Sequence, residues 1–199
     1  GPGHSHQAVR DISALGAIPG LNVIEPSCEK EVRLLLDWSI NTSSTSSYIR
    51  LVSNPWVINF DLPSSYKIEQ GKGVTIQNGN DVAIFAYGPI GLSLSVDAAK
   101  ILKRESNISC KIINIPWLNN LNKEWMESEL DLIDKILVVD NHYKKGGLGF
   151  LLSSMLVKRH YQFLQIGVDD IPFSGENDKV LHIHKMDAQS IVSKINEFS

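Results

Sequence analysis

Cysteine is nearly absent. Cys28 and Cys110 are the only two in 199 residues and form no CxxC pair, which argues against a disulfide framework and a zinc site and fits a reducing cytoplasm. Long apolar runs are also missing: Val82–Tyr87 and Ile136–Val139 fall far short of the ~18 residues that a membrane-spanning helix needs, so no membrane partner is expected. No basic block occurs. Lys and Arg total 19 against 22 Asp and Glu, a net charge of -3, which argues against nucleic acid as the main partner. The start, Gly1–Gln7, is polar and does not read as a signal peptide, although its Gly-Pro and histidines also fit a cloning remnant. Neither GK[ST], GxGxxG nor a nucleophile elbow is found, so P-loop, dinucleotide and self-contained hydrolase chemistry lack support.

What remains is an ordinary globular composition, 43% hydrophobic and 21% charged, with the α/β alternation of a mostly parallel sheet covered on both faces. Gln7–Leu15 carries Val9, Ile12 and Leu15 on one helical stripe and stops at Pro19-Gly20 before a short strand, Leu21–Ile24. Ser27 is placed to cap a helix over Cys28–Ile40, and Tyr48–Val52 reads as a strand. From Asn54 to Gly73 periodicity lapses, and a linker is assigned there. Regular alternation then resumes. Val74–Ile76 and Asp81–Tyr87 flank a hairpin-like Asn78-Gly79-Asn80, and Gly88–Ser106 is a helix. Ile108–Ile115, Ile136–Asp140 and Tyr161–Val168 are strands interleaved with helices over Lys123–Asp134 and Gly147–His160, and Asp187–Phe198 closes the chain as a helix.

Four features could carry chemistry. His4 and His6 precede the first helix; two histidines without a matching third ligand make a poor metal site, whereas an imidazole there could bond a substrate hydroxyl or move a proton. Asp140-Asn141-His142 leads into Gly146-Gly147-Leu148-Gly149, where backbone N–H groups could meet an anion, but tight packing of the turn explains the glycines more simply. Tyr87-Gly88-Pro89-Ile90-Gly91 admits the same two readings, with a Pro-initiated helix preferred. His182 and His184 would share a face in a strand and diverge in a helix, and surface histidines are the simpler account.

The stretch from Ser5-His6-Gln7 through Ile18-Pro19-Gly20-Leu21 to Val23-Ile24-Glu25-Pro26-Ser27 resembles the transketolase-like thiamine diphosphate enzymes, in which a His-Gln pair opens a helix. Further along, Asp81–Gly88, Val138–Gly149 and Ile166–Asp170 with Phe173-Ser174-Gly175 resemble that family's carboxy-terminal domain. The resemblance implies that residues 1–53 are the carboxy-terminal part of a pyrimidine-binding α/β domain, 54–73 a linker, and 74–199 a three-layer αβα carboxy-terminal domain. No GDG motif is present. The resemblance therefore places thiamine diphosphate and Mg²⁺ in a complete enzyme, with none expected on this chain alone. It also implies an amino-terminal diphosphate-binding section as partner, a homo-oligomer, and a sugar-like substrate.

Within that resemblance His6 is the catalytic candidate, facing the cofactor's reactive carbon, with His4 and Arg50 as further substrate-binding candidates. Arg50 stands in Tyr48-Ile49-Arg50, and Ser53 stands where many relatives carry a second Arg for a substrate phosphate, a departure that bears on phosphate recognition. His142 and the glycine turn are expected to hold domain contacts. The expected activity is transfer of a two-carbon ketol unit; the alternatives are a β-type subunit of a 2-oxo acid dehydrogenase and a non-catalytic dimerisation module.

Overall fold

The computed structural model describes residues 9–156 and 160–198. The first segment holds α1 (Asp11–Leu15), β1 (Asn22–Ile24), α2 (Glu29–Asn41) and β2 (Ser47–Ile49). Residues 50–73 contain no helix or strand. The second segment runs β3 (Val74–Gln77), β4 (Val82–Ala86), α3 (Gly88–Ser106), β5 (Cys110–Asn114), α4 (Lys123–Leu130) and β6 (Lys135–Tyr143). It then continues through α5 (Leu148–Met155), β7 (Gln162–Val168), α6 (Asn177–Ile183) and α7 (Ala188–Ile195).

The main sheet has the order β3-β5-β4-β6-β7 and is parallel except for β3. Side chains alternate across a strand, and β4 shows the consequence. Val82, Ile84 and Ala86 face α3 and α7, meeting Leu92, Val96, Ile191 and Ile195; Ala83 and Phe85 face α4 and α5, meeting Met126, Leu130 and Leu152. Both faces of β4 are fully apolar because both are covered. This is the expected αβα sandwich.

The first segment packs directly on the second. Ile12 and Val23 share a core with Phe85, Tyr87 and Leu118. β1 pairs in parallel with β2 on one edge, and on its other edge meets the chain after β5: Glu25 N donates to Pro116 O and Leu118 N to Val23 O. Trp38 meets Trp117 edge-on, with ring centroids 4.8 Å apart. Glu31 ties three regions together. Its buried carboxylate accepts from Ser27 N and Oγ, Tyr66 Oη and Asn114 Nδ2, so the irregular segment is fastened through Tyr66.

Three expectations need correction. The Asn78-Gly79-Asn80 turn does not make a hairpin of its flanking strands, since β3 pairs antiparallel with β5. The chain crosses β5 there, and Gly79 sits so close that a Cβ would lie 2.2 Å from Cys110 C. Ser27 is not the cap of α2. Cys28 takes that place without a side-chain bond, while Glu31 reaches back to Ser27 as a capping-box acid would. Finally, α6 is an additional helix. It has no buried residue, so it leaves no apolar period in the sequence.

Candidate functional site

The cleft lies where the two segments meet, at the carboxyl ends of β2, β6 and β7. It encloses about 400 Å³, bordered by Arg50 to Asn54 on one side, Asn141 and Val168 beneath, and Asn177, Leu181 and His184 of the α6 region opposite. This is where an open parallel sheet places ligands.

Arg50 organises the wall. β2 ends one residue earlier and carries Arg50 inward, where its side chain is 8% exposed. Its Nε donates to Asp11 Oδ2 at 2.8 Å, its Nη1 to Glu25 Oε2, and its Nη2 to Asn141 O at 3.2 Å. The guanidinium carbon stands 5.8 Å from the centre of the Tyr87 ring. One cation thus joins α1, β1 and the end of β6. Burial opposes its charge, but Glu25, then Tyr87 and Asp11, hold it protonated above the ordinary arginine value.

Burial pushes the Glu25 carboxyl up to about 7; Arg50 pulls it down, and Asp11 and Asp140 add to the rise. Glu25 also sits at the start of α3. Gly88 has φ +67°, and a Cβ there would lie 2.0 Å from Glu25 Oε1, so the Tyr87-Gly88-Pro89 turn is shaped around this carboxyl. The second glycine turn has a similar occupant. Asp140 accepts from Leu148 N and Gly149 N, the first residues of α5, and from Tyr87 Oη and Gln165 Nε2. Burial raises the Asp140 carboxyl, while Gly149, Tyr87, Gln165 and Leu148 restrain the rise. The start of α5, which the sequence marks as an anion site, therefore holds a carboxyl of this chain, and beside the start of α3 the Glu25 carboxyl takes the space next to Gly88.

α1 is pinned beside the cleft. Ser13 N donates to His142 Nε2 at 3.4 Å, which leaves Nδ1–H facing Tyr143 O at 2.7 Å, and Tyr143 N donates to Val9 O. Fully buried His142 is a docking residue joining the segments. His182 is exposed and bonds Asp187 Oδ2, whereas His184 accepts from Phe173 N and borders the cleft. Lying on and just after a helix, the two do not form a pair. His4 and His6 lie outside the described residues.

Arg50, Ser53, His142 and His184 stand out in the sequence, whereas Asp11 and Glu25 do not. Glu25 could have been noticed, since an acid directly after the apolar Val23-Ile24 needs a partner.

The family profile "Transketolase, C-terminal domain" matches residues 71–191. The chain belongs to the transketolase C-terminal domain family. The 1-deoxy-D-xylulose-5-phosphate synthase of Clostridium perfringens strain ATCC 13124 is 33% identical over 198 residues, covering 98% of this chain and 32% of that protein. A Methanocaldococcus jannaschii protein named "Putative transketolase C-terminal section" is 27% identical over 198 residues, covering 98% of this chain and 61% of its own length. Among solved structures, one described as a split-gene transketolase, inactive β4 tetramer, has a TM-score of 0.88 at 22% identity, covering 98% of this chain and 63% of that one. The chain spans about a third of the length of the synthases it matches.

Among the described residues no group of three or more His, Cys, Asp or Glu could hold a metal ion. The backbone N–H groups at the start of α5 are already taken by Asp140, and the space beside Gly88 at the start of α3 is taken by the Glu25 carboxyl. The described residues therefore do not fit as the anchor of a diphosphate and its Mg²⁺.

Proposed function

We propose that this chain is the carboxy-terminal part of a thiamine diphosphate-dependent, transketolase-like enzyme that transfers a two-carbon ketol unit between sugar-like substrates. Residues 1–53 then complete a pyrimidine-binding domain and residues 74–199 support it. The cofactor, anchored on an amino-terminal diphosphate-binding section outside this chain, supplies the carbanion chemistry. The observation that carries the reading is the seat of α1. The helix that follows His6-Gln7 is fixed to the end of β6 by Ser13–His142 and Val9–Tyr143 and to Arg50 through Asp11, all beside the cleft. A side chain ahead of α1 is thereby given a fixed base, which a catalytic donor requires.

The test is reconstitution. The chain is mixed with a diphosphate-binding section, thiamine diphosphate and Mg²⁺, and ketol transfer between sugars is followed. Activity in the mixture and none in either part alone is expected. Turnover by residues 1–199 alone contradicts the proposal, as does a reconstituted enzyme that decarboxylates a 2-oxo acid onto lipoamide and moves no ketol unit.

A further inference from the structure

The loop that carries the chain from β3 past β5 to β4 combines one residue the fold cannot change with one it does not use. Gly79 is fixed. A Cβ there would lie 2.2 Å from Cys110 C and 2.5 Å from Cys110 O and Lys111 N, all of them backbone atoms of β5, so no side chain can be carried at this crossing. Asn78 is the unused one. It is exposed, and among the described residues neither its carboxamide nor the Gly79 N–H has a hydrogen-bond partner. Nowhere else in the 199 residues does Gly follow Asn.

That pairing has a chemical consequence. A backbone nitrogen attacks the side-chain carbonyl of the Asn before it most readily when its own residue has no Cβ to obstruct the approach. Gly79 N bonds to Asn78 Cγ, the Cγ–Nδ2 bond breaks, and ammonia leaves with the amide proton, closing a five-membered succinimide. Water then opens the ring at either carbonyl, so the net change is hydrolysis of a carboxamide to a carboxylate, without oxidant, reductant or enzyme. One opening gives Asp at position 78. The other gives isoaspartate, whose main chain runs through the β-carbon and is one atom longer.

The structure determines where the added length is felt. β3 is an edge strand, half-buried throughout, paired with β5 alone and already irregular in register between Thr75 and Gln77. The extra atom and the new negative charge arrive where the chain is pressed on Cys110, three residues before Asp81, whose carboxylate accepts from Ser109 N at 2.7 Å. β5 and β4 are interior strands, so the displacement falls on β3. We propose that Asn78 is a site of spontaneous deamidation in the folded protein, and that its isoaspartyl product releases the edge strand β3 from β5.

The experiment holds the folded chain at pH 6 and at pH 8, beside the same chain unfolded in urea. Digestion and mass spectrometry then locate the change, and isoaspartate is read by methyl transfer from labelled S-adenosylmethionine with a protein isoaspartyl methyltransferase. Asn80, exposed in the same loop but followed by Asp81, is the internal control. The folded chain should gain about 1 Da at Asn78, faster at pH 8 because the attacking amide must lose its proton. The gain should be about tenfold or more faster than at Asn80, whose following residue carries a Cβ. Asn78→Gln should abolish it. In the isoaspartyl fraction, separated by chromatography, the amides of Thr75 and Gln77 should exchange about tenfold or more faster while those of β4 keep their rates. No gain at Asn78 in the folded chain, whatever the urea sample shows, overturns the site, and so does an equal gain at Asn80. Unchanged exchange across β3 in the modified fraction overturns the release.

Discussion

Replacing Gly88 by Ala should be costly for a reason that lies 63 positions away in the sequence. The backbone there has φ +67°, and the added Cβ would stand 2.0 Å from Glu25 Oε1 and 2.9 Å from its Cδ. A left-handed Ala costs about 1 kcal/mol by itself. The carboxyl cannot yield cheaply, because it is 3% exposed and is paired with Arg50. Breaking a buried pair costs about 3–5 kcal/mol, and displacement rather than removal puts this case near the lower end, for a total of about 4 kcal/mol. Urea unfolding followed by tryptophan fluorescence reads the change, since Trp117 is buried. The mechanism is isolated by repeating the substitution in a Glu25→Ala background, where the clash is gone and only the backbone share of about 1 kcal/mol should remain. An equal cost in both backgrounds would refute the argument, because Gly88 would then be needed for something other than room for Glu25.

The raised Glu25 carboxyl, ordinarily at 4.5 and here about 7, keeps a proton in the folded state that the unfolded chain has released. Stability should therefore fall as pH rises from 4.5 to 7 and level off above, by about 3 kcal/mol from this group. Glu25→Gln should remove that share from urea midpoints compared at pH 5 and pH 8, while Glu31 and Asp140, displaced in the same direction, leave a residual slope of the same sign. Asp140→Asn should cost about 1–3 kcal/mol and speed hydrogen exchange at Leu148 and Gly149, whose amides lose a charged acceptor. His142→Ala should lower the melting temperature and loosen α1 selectively, seen as faster exchange at Ser13 with little change at β4, which is buried in the main sheet.

Local chemistry made much of the scaffold legible. The helix over Gly88–Ser106 could be bounded to the residue because Pro89 favours its start and the polar run at its end terminates in Asn107, which adopts the left-handed conformation that ends helices. Pairings between distant strands were not legible. The Asn-Gly turn after β3 looks like a hairpin locally, and only the approach of Gly79 to Cys110 shows that β5 intervenes. The site divides the same way. Arg50 stands out through its motif, but the two acids that fix it lie 39 and 25 residues away, and no periodicity connects them. The glycine turns are packing features, as their sequence suggests, although nothing local reveals that Glu25 lies against one and Asp140 bonds the other.

The proposed function assigns the chemistry to His6, ahead of α1, while Asp11, Arg50 and His142 fix α1 itself. Turnover of the reconstituted enzyme carrying His6→Ala, beside one carrying His142→Ala, measures this most directly. The first should lose about 100-fold or more in kcat with an unchanged melting temperature, as removal of a positioned proton donor does, and the second, with α1 loosened, should lose stability together with a smaller share of its kcat. Full turnover in the His6 variant would contradict the account.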